Sequence, residues 1–418
     1  MVAYLCTWLL VFAIPWENVV FIPGIGTISK LFGIGAFGAT LLRVLLQKKI
    51  RRLVPFHWAA FAYLCWVLLS VMWSVNETCH EGKLCDVPQT INTYVQLFLM
   101  LFVIWEATPT PSRVTNLLQA YVLGAYVAAG STIYNYSIGE QAGHSAARFT
   151  ATGFDANDLG MMLALALPMA WYLASVSRYS FQRWLNRAYF VFGGVAILLT
   201  GSRGAMLATI VALAVVPWTL THLRRGVRIV AIVFIAGAGV AGLTFVPAAT
   251  FARLSTTGTE ISEGDLNSRL EIWKTGFSVV PERPLHGFGP AGWRTAVTAR
   301  FGVKGAHDTF LAILVDEGLI GLLLYLSMFV MVLRGILVLP TFQRRIGLIL
   351  LATLIVAITP LDWDTKKPAW VILGLLVAYS EVLAHAQWGR DPRAAMRPQG
   401  NRPGSPQQAR MPRRVIAR

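Results

Sequence analysis

Gly305-Ala306-His307-Asp308-Thr309, followed by the apolar run FLAILVDEGLIGLLLYLSMFVMVL at residues 310–333, decides the fold. A polar loop ends here, and a run of about 20 apolar residues suffices to cross a hydrocarbon core of about 30 Å. His307 therefore lies where water gives way to membrane. Asp308 stands immediately before the predicted helix and can cap its free backbone N–H groups.

Similar apolar runs recur along the chain. Of its 418 residues, 56% are hydrophobic and only 13% are charged, with a mean hydropathy of +0.58; a soluble domain carries about 25% charged residues. The predicted fold class is an all-α polytopic membrane protein with about twelve spans. The predicted spans are 2–21, 28–46, 56–73, 91–106, 114–136, 158–176, 186–200, 204–221, 228–247, 309–334, 343–361 and 368–387.

The positive charges predict the orientation. An even number of spans puts the basic loops after spans two, six, eight and ten, and the Arg-rich tail, on one side, which is the cytoplasmic side by the positive-inside rule. The net charge of +16 is explained by this bias, and not by nucleic-acid binding. The opposite side, the periplasm of a bacterial cell, receives the loops 74–90, 137–157, 201–203, 248–308 and 362–367.

Two domains follow from this reading. Residues 1–388 are predicted to form a transmembrane catalytic domain, with the large outer loop 248–308 inserted between spans nine and ten. Within that loop a short helix is expected over 268–280, because Leu270, Trp273, Phe277 and Val280 recur at helical spacing. The tail 389–418 is rich in Pro, Arg and Gln and is predicted to be a disordered basic cytoplasmic segment.

His307 is the first candidate site residue, because it alone among the outer-side histidines opens a membrane helix. The partial positive charge of a helix N-terminus disfavours imidazolium, so His307 is expected to be neutral and able to accept a proton. The alternative is an interfacial histidine that bonds lipid headgroups, and its position alone favours neither.

Arginines supply the second candidate feature. Arg203 lies in a tight turn, Thr200-Gly201-Ser202-Arg203-Gly204, on the side that the orientation bias leaves poor in basic residues. Its planar guanidinium suits phosphate oxygens, although an arginine there could instead extend to lipid headgroups. Arg269 shares a helix face with Trp273, or could be a solvated residue paired with Glu271 or Glu263. Arg148 is a weaker candidate of the same kind, and Trp273 and Asp308 are weaker candidates beside Arg269 and His307.

Several other patterns lead to no site. Residues 287–292 match G-x-G-x-x-G, but no strand precedes them and Pro290 interrupts them, so the dinucleotide-site interpretation fails. Glu317 lies deep in span ten and is expected to bond a neighbouring helix. Cys79 and Cys85 share one outer loop and are predicted to form a disulfide, with two free thiols as the alternative.

Taken together, the motifs resemble the O-antigen ligase and polymerase superfamily. The resemblance rests on Leu-Thr-Gly-Ser-Arg-Gly-Ala at 199–205, Arg269 with Trp273, Pro-Leu-His-Gly-Phe-Gly at 284–289, and His307 with Leu311 and Glu-Gly-Leu-Ile-Gly at 317–321. Asp308 departs from the family pattern, which usually has Asn there. A carboxylate beside His307 is expected to raise the pKa of that imidazole.

The resemblance implies the fold, reaction and partners. It implies a GT-C-type glycosyltransferase in the inner membrane of a Gram-negative bacterium, with a periplasmic active site. The donor would be O-antigen on undecaprenyl diphosphate and the acceptor a sugar hydroxyl of lipid A-core, with no cofactor or metal. His307 would be the general base, and Arg203 and Arg269 would hold the diphosphate, which two arginines can stabilise without a metal.

Other functions remain open from the sequence. An O-antigen polymerase or a protein O-oligosaccharyltransferase of the same superfamily would share these motifs. A lipid or solute transporter would also have about twelve spans, but it should show paired repeats and polar residues at the midplane. No repeat is visible, and the candidate polar residues cluster at one face instead.

Overall fold

The computed structural model describes residues 1–74, 86–142, 148–222, 225–245, 247–248, 250, 269–303 and 305–388. These form helices, short helical turns and one small hairpin of β1 (Phe21–Ile22) and β2 (Gly26–Thr27). The helices are α1 (Val2–Ala13), α2 (Ile28–Gln47), α3 (Pro55–Ser70), α4 (Asp86–Ala107), α5 (Pro111–Ser137), α6 (Ala156–Val176), α7 (Ser180–Leu199), α8 (Arg203–Leu213), α9 (Val215–Thr219), α10 (Arg225–Phe245), α11 (Arg269–Val279), α12 (Thr309–Leu337), α13 (Thr341–Ile358) and α14 (Lys367–Trp388).

The all-α membrane class is confirmed. Within the described residues, nine helical segments are long and apolar enough to cross a membrane. The three other predicted spans are also helical, as α7, α8 with α9, and α10. Arg183 and Arg187 shorten the apolar part of α7, and the apolar stretches around α8 and α10 are short. The count of twelve spans and the GT-C architecture stay predictions.

Helix α6 lies at the centre of the bundle. It is made largely of Ala, Leu and Met, and 89% of its apolar window is buried against the surrounding helices α5, α7, α8 and α13. Small side chains let neighbours approach closely, which drives helix association where lipid offers no hydrophobic gain. A Cβ at Gly160 would meet the Ala205 side chain on α8 at 2.5 Å, so α6 and α8 are in close contact here.

Helix α12 is broken near its middle. Gly318 has φ +69° and ψ −171°, and the glycine-rich turn 284–289 lies against the break. Leu319 N–H donates to Pro284 O at 2.9 Å, and Gly289 N–H donates to Asp316 O at 2.7 Å. Non-helical backbone is tolerated at this depth only because neighbouring chain satisfies its polar groups. The glycine-rich segment therefore packs against a membrane helix.

The break also anchors α12 to α3. Trp66 Nε1 donates to the carbonyl oxygen of Glu317 at 2.9 Å, so Glu317 contacts the neighbouring helix through its backbone. The expectation that the Glu317 side chain bonds an adjacent helix stays a prediction, because this contact is made by its backbone.

The predicted helix in the outer loop is α11, but the prediction of its buried face was partly wrong. Leu270 and Phe277 are exposed, while Gly276 and Val279 are buried. A Cβ on Gly276 would meet the Trp293 ring at 2.7 Å and Leu311 of α12 at 3.0 Å. The glycine lets α11 approach α12 closely, so the buried stripe runs through residues that a hydrophobicity pattern does not select.

Several predictions lie outside the described residues. They are the Cys79–Cys85 disulfide, the alternative pairing of Arg269 with Glu263, and the tail 389–418. The division into a catalytic domain and a tail stays a prediction.

A fusion experiment tests the predicted orientation. A reporter enzyme that is active only in the periplasm, joined after Arg390, should be silent, because an even number of spans and the positive-inside rule place both termini in the cytoplasm. The same reporter inserted in loop 248–268 should be active. Strong activity after Arg390 would contradict the even count and put the loop 248–308 in the cytoplasm.

Candidate active site

Three helix N-termini meet at one end of the bundle. Thr309, the first residue of α12, places its hydroxyl within hydrogen-bond distance of Ile358 O (2.8 Å) and Leu361 O (2.6 Å), in the turn between α13 and α14. Trp363 of this turn donates its indole N–H to Asp158 in the first turn of α6 at 2.9 Å. The surface formed by the N-termini of α6, α8 and α12 and the turn 359–366 is called the His307 face below.

Residues of α6 also hold the start of α8. Ser202 caps α8 by accepting from Ala205 N–H, and its hydroxyl donates to Asn157 Oδ1 at 2.9 Å. Gly204 lies against Met161 and Pro360, and a Cβ there would meet the Met161 side chain at 2.7 Å. The tight turn predicted at 201–203 is confirmed, with Gly201 at φ +57°. Arg203, half-buried, is the first residue of α8 at this face.

Arg148 stabilises the same turn. Its side chain is buried, its Nε donates to Thr200 O and its Nη2 to Asn157 Oδ1, both at 2.9 Å. These bonds tie the segment before α6 to the turn before α8. The sequence offered Arg148 as a weaker phosphate ligand; the structure assigns it these contacts within the protein.

His307 has an unusual backbone conformation. Its φ is +47°, in the left-handed region that residues with a Cβ seldom adopt. Such strain persists only where the surrounding structure enforces it, and it clusters at functional sites. The residue is exposed on the His307 face.

Asp308 caps α12 as predicted. Its Oδ1 accepts from the backbone N–H groups of Phe310 and Leu311, both at 2.9 Å. Burial raises the pKa of Asp308. The expectation that Asp308 raises the pKa of His307 was wrong. The pKa of His307 is lowered, and the carboxylates that act to raise it are those of Asp155 and Asp158.

The electrostatics around His307 favour the neutral imidazole. Desolvation by the surrounding protein lowers its pKa below the ordinary 6.5, and the positive charge of Arg269 lowers it further. Asp155 and Asp158 act in the opposite direction and are outweighed. This direction agrees with the expected neutral imidazole, and its causes are partial desolvation and the charge of Arg269.

Arg269 is the first residue of α11 and interacts with charged residues of the His307 face. Burial lowers its pKa, and the charges of Asp362 and Asp155 partly offset that effect. Its electrostatic partners thus lie across the His307 face, which argues against a solvated residue paired only within its own helix. Since an arginine remains charged in proteins, Arg269 contributes a fixed cation beside His307.

Trp273 contacts the segment before His307. One turn beyond Arg269 on α11, its Nε1 donates to Ala306 O at 3.2 Å. This bond links the helix that carries Arg269 to the residue immediately before His307. Trp273, a weaker candidate from the sequence, therefore helps to position Arg269 and His307.

Asp362 is a residue that the sequence reasoning missed. Its carboxylate lies against the backbone N–H groups of His307 and Asp308. Gly305 makes room for it, because a Cβ there would be 2.9 Å from Asp362 Oδ2. Burial and the charge of Asp364 raise the pKa of Asp362 to about 6. The loop 362–367 was predicted on the same side as His307, and two aspartates in so short a connection were the available signal.

Asp155 and Asp158 were also missed. Asp155 caps α6 by accepting from Asn157 N–H at 2.7 Å. Asp158 accepts from Trp363 and lies 3.8 Å from Lys366 Nζ. The face thus combines two arginines with three carboxylates around one histidine. Within the part of the chain described, no group of three or more His, Cys, Asp or Glu side chains is arranged to hold a metal ion.

Comparison with known proteins gives one family. A family model described as O-antigen ligase matches residues 188–326, about a third of the chain. The matched stretch includes Arg203, Arg269 and His307, but neither the start of α6 nor the turn 359–366. A comparison with curated proteins found no match.

Proposed function

We propose that this chain, which belongs to the O-antigen ligase superfamily through residues 188–326, joins O-antigen to lipopolysaccharide. The donor is O-antigen on undecaprenyl diphosphate, and the acceptor is a sugar hydroxyl of lipid A-core. The observation that carries the proposal is the placement of a neutral, strained His307 beside Arg269 at a face that also carries Arg203. The enzyme would act at the periplasmic side of a bacterial inner membrane.

His307 would act as the general base. The acceptor hydroxyl oxygen forms a bond to the anomeric carbon of the donor sugar, and its proton passes to the imidazole. A base works best when it is neutral at the working pH, which the lowered pKa of His307 favours. The bond between the anomeric carbon and the diphosphate oxygen breaks with its electron pair on that oxygen. A single displacement of this kind inverts the anomeric centre.

Arg203 and Arg269 would stabilise the diphosphate as it leaves. Guanidinium groups bind phosphate oxygens through paired N–H bonds, and they gain most where charge develops in the transition state. The N-terminus of α8 adds a partial positive charge beside Arg203. Arg269 would serve twice, because its charge also keeps His307 neutral.

Asp362 would be a positioning residue. It contacts the backbone of His307 and interacts with Arg269, so it joins the proposed base to one proposed phosphate ligand. Its contact with two backbone N–H groups helps hold the left-handed conformation of His307. It needs no contact with either substrate for this role.

Substitution of Asp362 tests this role. Asp362→Ala should slow transfer by roughly 10²-fold, the loss typical of a misplaced catalytic group. Asp362→Asn should lose less, because its amide oxygen still accepts from the backbone N–H groups. Wild-type transfer should fall as pH drops through about 6, where Asp362 becomes protonated, and through the lowered pKa of His307. That acid limb should be shallower in Asp362→Asn, which retains only His307.

Stability provides the control for Asp362. Its folded pKa of about 6 exceeds the ordinary 3.8, so between these values the folded state binds more protons than the unfolded state. Stability therefore decreases as pH rises through this window, and the carboxylate costs stability above it. Asp362→Asn should melt no lower than wild type at pH 7.5. A lower melting temperature together with an unchanged pH profile would make Asp362 merely structural.

One reconstitution distinguishes the members of the superfamily. Purified protein is incubated with undecaprenyl-diphosphate-linked O-antigen and lipid A-core, and the products are separated by size. Transfer to lipid A-core is expected. Elongation of the lipid-linked glycan would instead identify a polymerase. Neither product, despite bound donor, would overturn the proposed glycosyl transfer.

A further inference from the structure

A slot on another side of the bundle has no part in the proposed chemistry. It lies between α1, α2, α4 and the start of α14, has a volume of about 240 Å³, and is lined by Lys30, Gly33, Phe37, Gln96, Met100 and Val103 among others. It is a recess between helices, and Ile34 on its rim is 61% exposed. The recess therefore opens sideways toward lipid.

Polarity changes along the slot. Lys30 and Gln96 line it near the start of α2 and in the first half of α4, whereas Phe37, Met100 and Val103 lie further along these helices. The start of α2 is at the same end as the His307 face, because Lys367, beside Lys366, donates to Ser29 at 2.9 Å. The slot is thus polar at the membrane surface and apolar at depth, which matches an amphiphile that stands upright in one leaflet.

The charge at the polar end is positive. Lys367 is paired with Glu17, at 2.6 Å between Nζ and Oε2. Among the described residues, Lys30 takes part in no such ion pair, which leaves one uncompensated cation at the mouth. The amide of Gln96, one turn before Met100, adds hydrogen-bond donors. An anionic group is the complement of this arrangement.

The slot is separate from the proposed active site. Lys366 turns toward Asp158 on the His307 face, and the next residue, Lys367, turns toward Glu17 and Ser29 at the slot. The start of α14 therefore divides the two. A donor whose diphosphate lay at Arg203 and Arg269 would not place it at Lys30.

We propose that the slot binds an anionic phospholipid of the surrounding bilayer. One acyl chain lies along Gly33, Phe37 and Met100, and the phosphate lies at Lys30 and Gln96. The lipid fills space between α2, which is mostly exposed, and α4. It thereby ties the first two helices to the rest of the bundle at the edge of the active face.

Binding to the full-length protein tests the proposal. Delipidated protein in detergent is titrated with phosphatidylglycerol or phosphatidylcholine, and bound lipid is counted by native mass spectrometry. Phosphatidylglycerol should bind more tightly. Lys30→Gln should weaken it roughly five-fold, as expected for one lysine near an anionic headgroup, and should reduce the preference over phosphatidylcholine.

Two glycine variants on α2 test the proposed site of the acyl chain. A Cβ on Gly33 would meet only Leu10 Cδ1, at 3.7 Å, and one on Gly38 would meet nothing within 4 Å. Gly33→Leu therefore fills the slot without a backbone clash and should weaken both phospholipids more than roughly ten-fold, since several methylenes lose their site. Gly38→Leu makes the same change outside the slot and should bind as wild type.

Three results would overturn the proposal. They are equal binding by Gly33→Leu and Gly38→Leu, no effect of Lys30→Gln, and displacement of bound phosphatidylglycerol by equimolar undecaprenyl phosphate. The last would assign the slot to the lipid chain of the donor. Because no glycosyl donor or acceptor is present, the result does not depend on the proposed transfer.

Discussion

His307→Ala should reduce glycosyl transfer by roughly 10²–10⁴-fold, the loss that follows removal of a positioned general base. The protein should still insert in the membrane and fold, because His307 is exposed and packs in no core. The measurement is single-turnover transfer to lipid A-core at saturating donor, with donor binding determined separately.

The pH profile refines this prediction. The pKa of His307 is lowered, so the neutral base is present at pH 7 and is lost only as pH falls through a value below 6.5. Wild-type transfer should therefore be flat near neutrality and fall in acid. His307→Ala should lose that limb together with its rate, and its residual transfer should vary less with pH.

His286→Ala is the matched control. Its ring lies edge-on against Trp73, and its carbonyl accepts from Trp73 Nε1 at 3.0 Å, beside the segment that packs on the break in α12. The carbonyl bond survives the substitution, so transfer should stay near normal. Near-normal transfer by His307→Ala would remove that residue as the base. Loss of donor binding together with transfer would make it a ligand for the donor.

Arg269→Lys and Arg203→Lys should each lower transfer by roughly 10–100-fold, although both keep the positive charge. A lysine ammonium cannot reproduce the two parallel N–H bonds of a guanidinium, and the loss is greatest where charge develops in the transition state. The effect should lie mainly in the rate at saturating donor. It is measured as kcat and KM for transfer, with binding of undecaprenyl diphosphate measured alongside.

Arg269→Lys should have a second effect. A shorter reach moves the cation away from His307, and the acid limb should therefore move to higher pH, because the charge that depresses the pKa of His307 weakens. Arg203→Lys should leave that limb in place. This difference separates the two arginines even where their rates fall equally.

Arg300→Lys is the control for both. Arg300 pairs with Glu282 at 2.7 Å, and both side chains are more than 40% exposed. An exposed pair of this kind contributes little, so the conservative change should be silent. Full activity and donor affinity in either test variant would show that the arginine supplies only a general surface charge.

The contacts of the turn 359–366 could not be predicted from the sequence pattern. Its residues form one of the shortest outer loops, and the sequence predicts only its polarity and its side of the membrane. Asp362 meets the backbone of His307 because Thr309 holds the turn at the start of α12 and Trp363 holds it at α6. Contacts between residues about fifty to two hundred positions apart depend on how helices pack, and no local spacing records them.

The sequence by itself determined the membrane class, the position of the helices and the capping role of Asp308, and it predicts His307, Arg203 and Arg269 as site residues. These follow from local rules, since hydrocarbon thickness sets helix length and a short polar side chain satisfies the first N–H groups. Only the tertiary structure decided the break at Gly318, the left-handed φ of His307, the desolvation and the charge of Arg269 that lower its pKa, and its contact with Asp362. Each of these features depends on burial or on contacts between helices. Burial and contacts are not fixed until the helices pack.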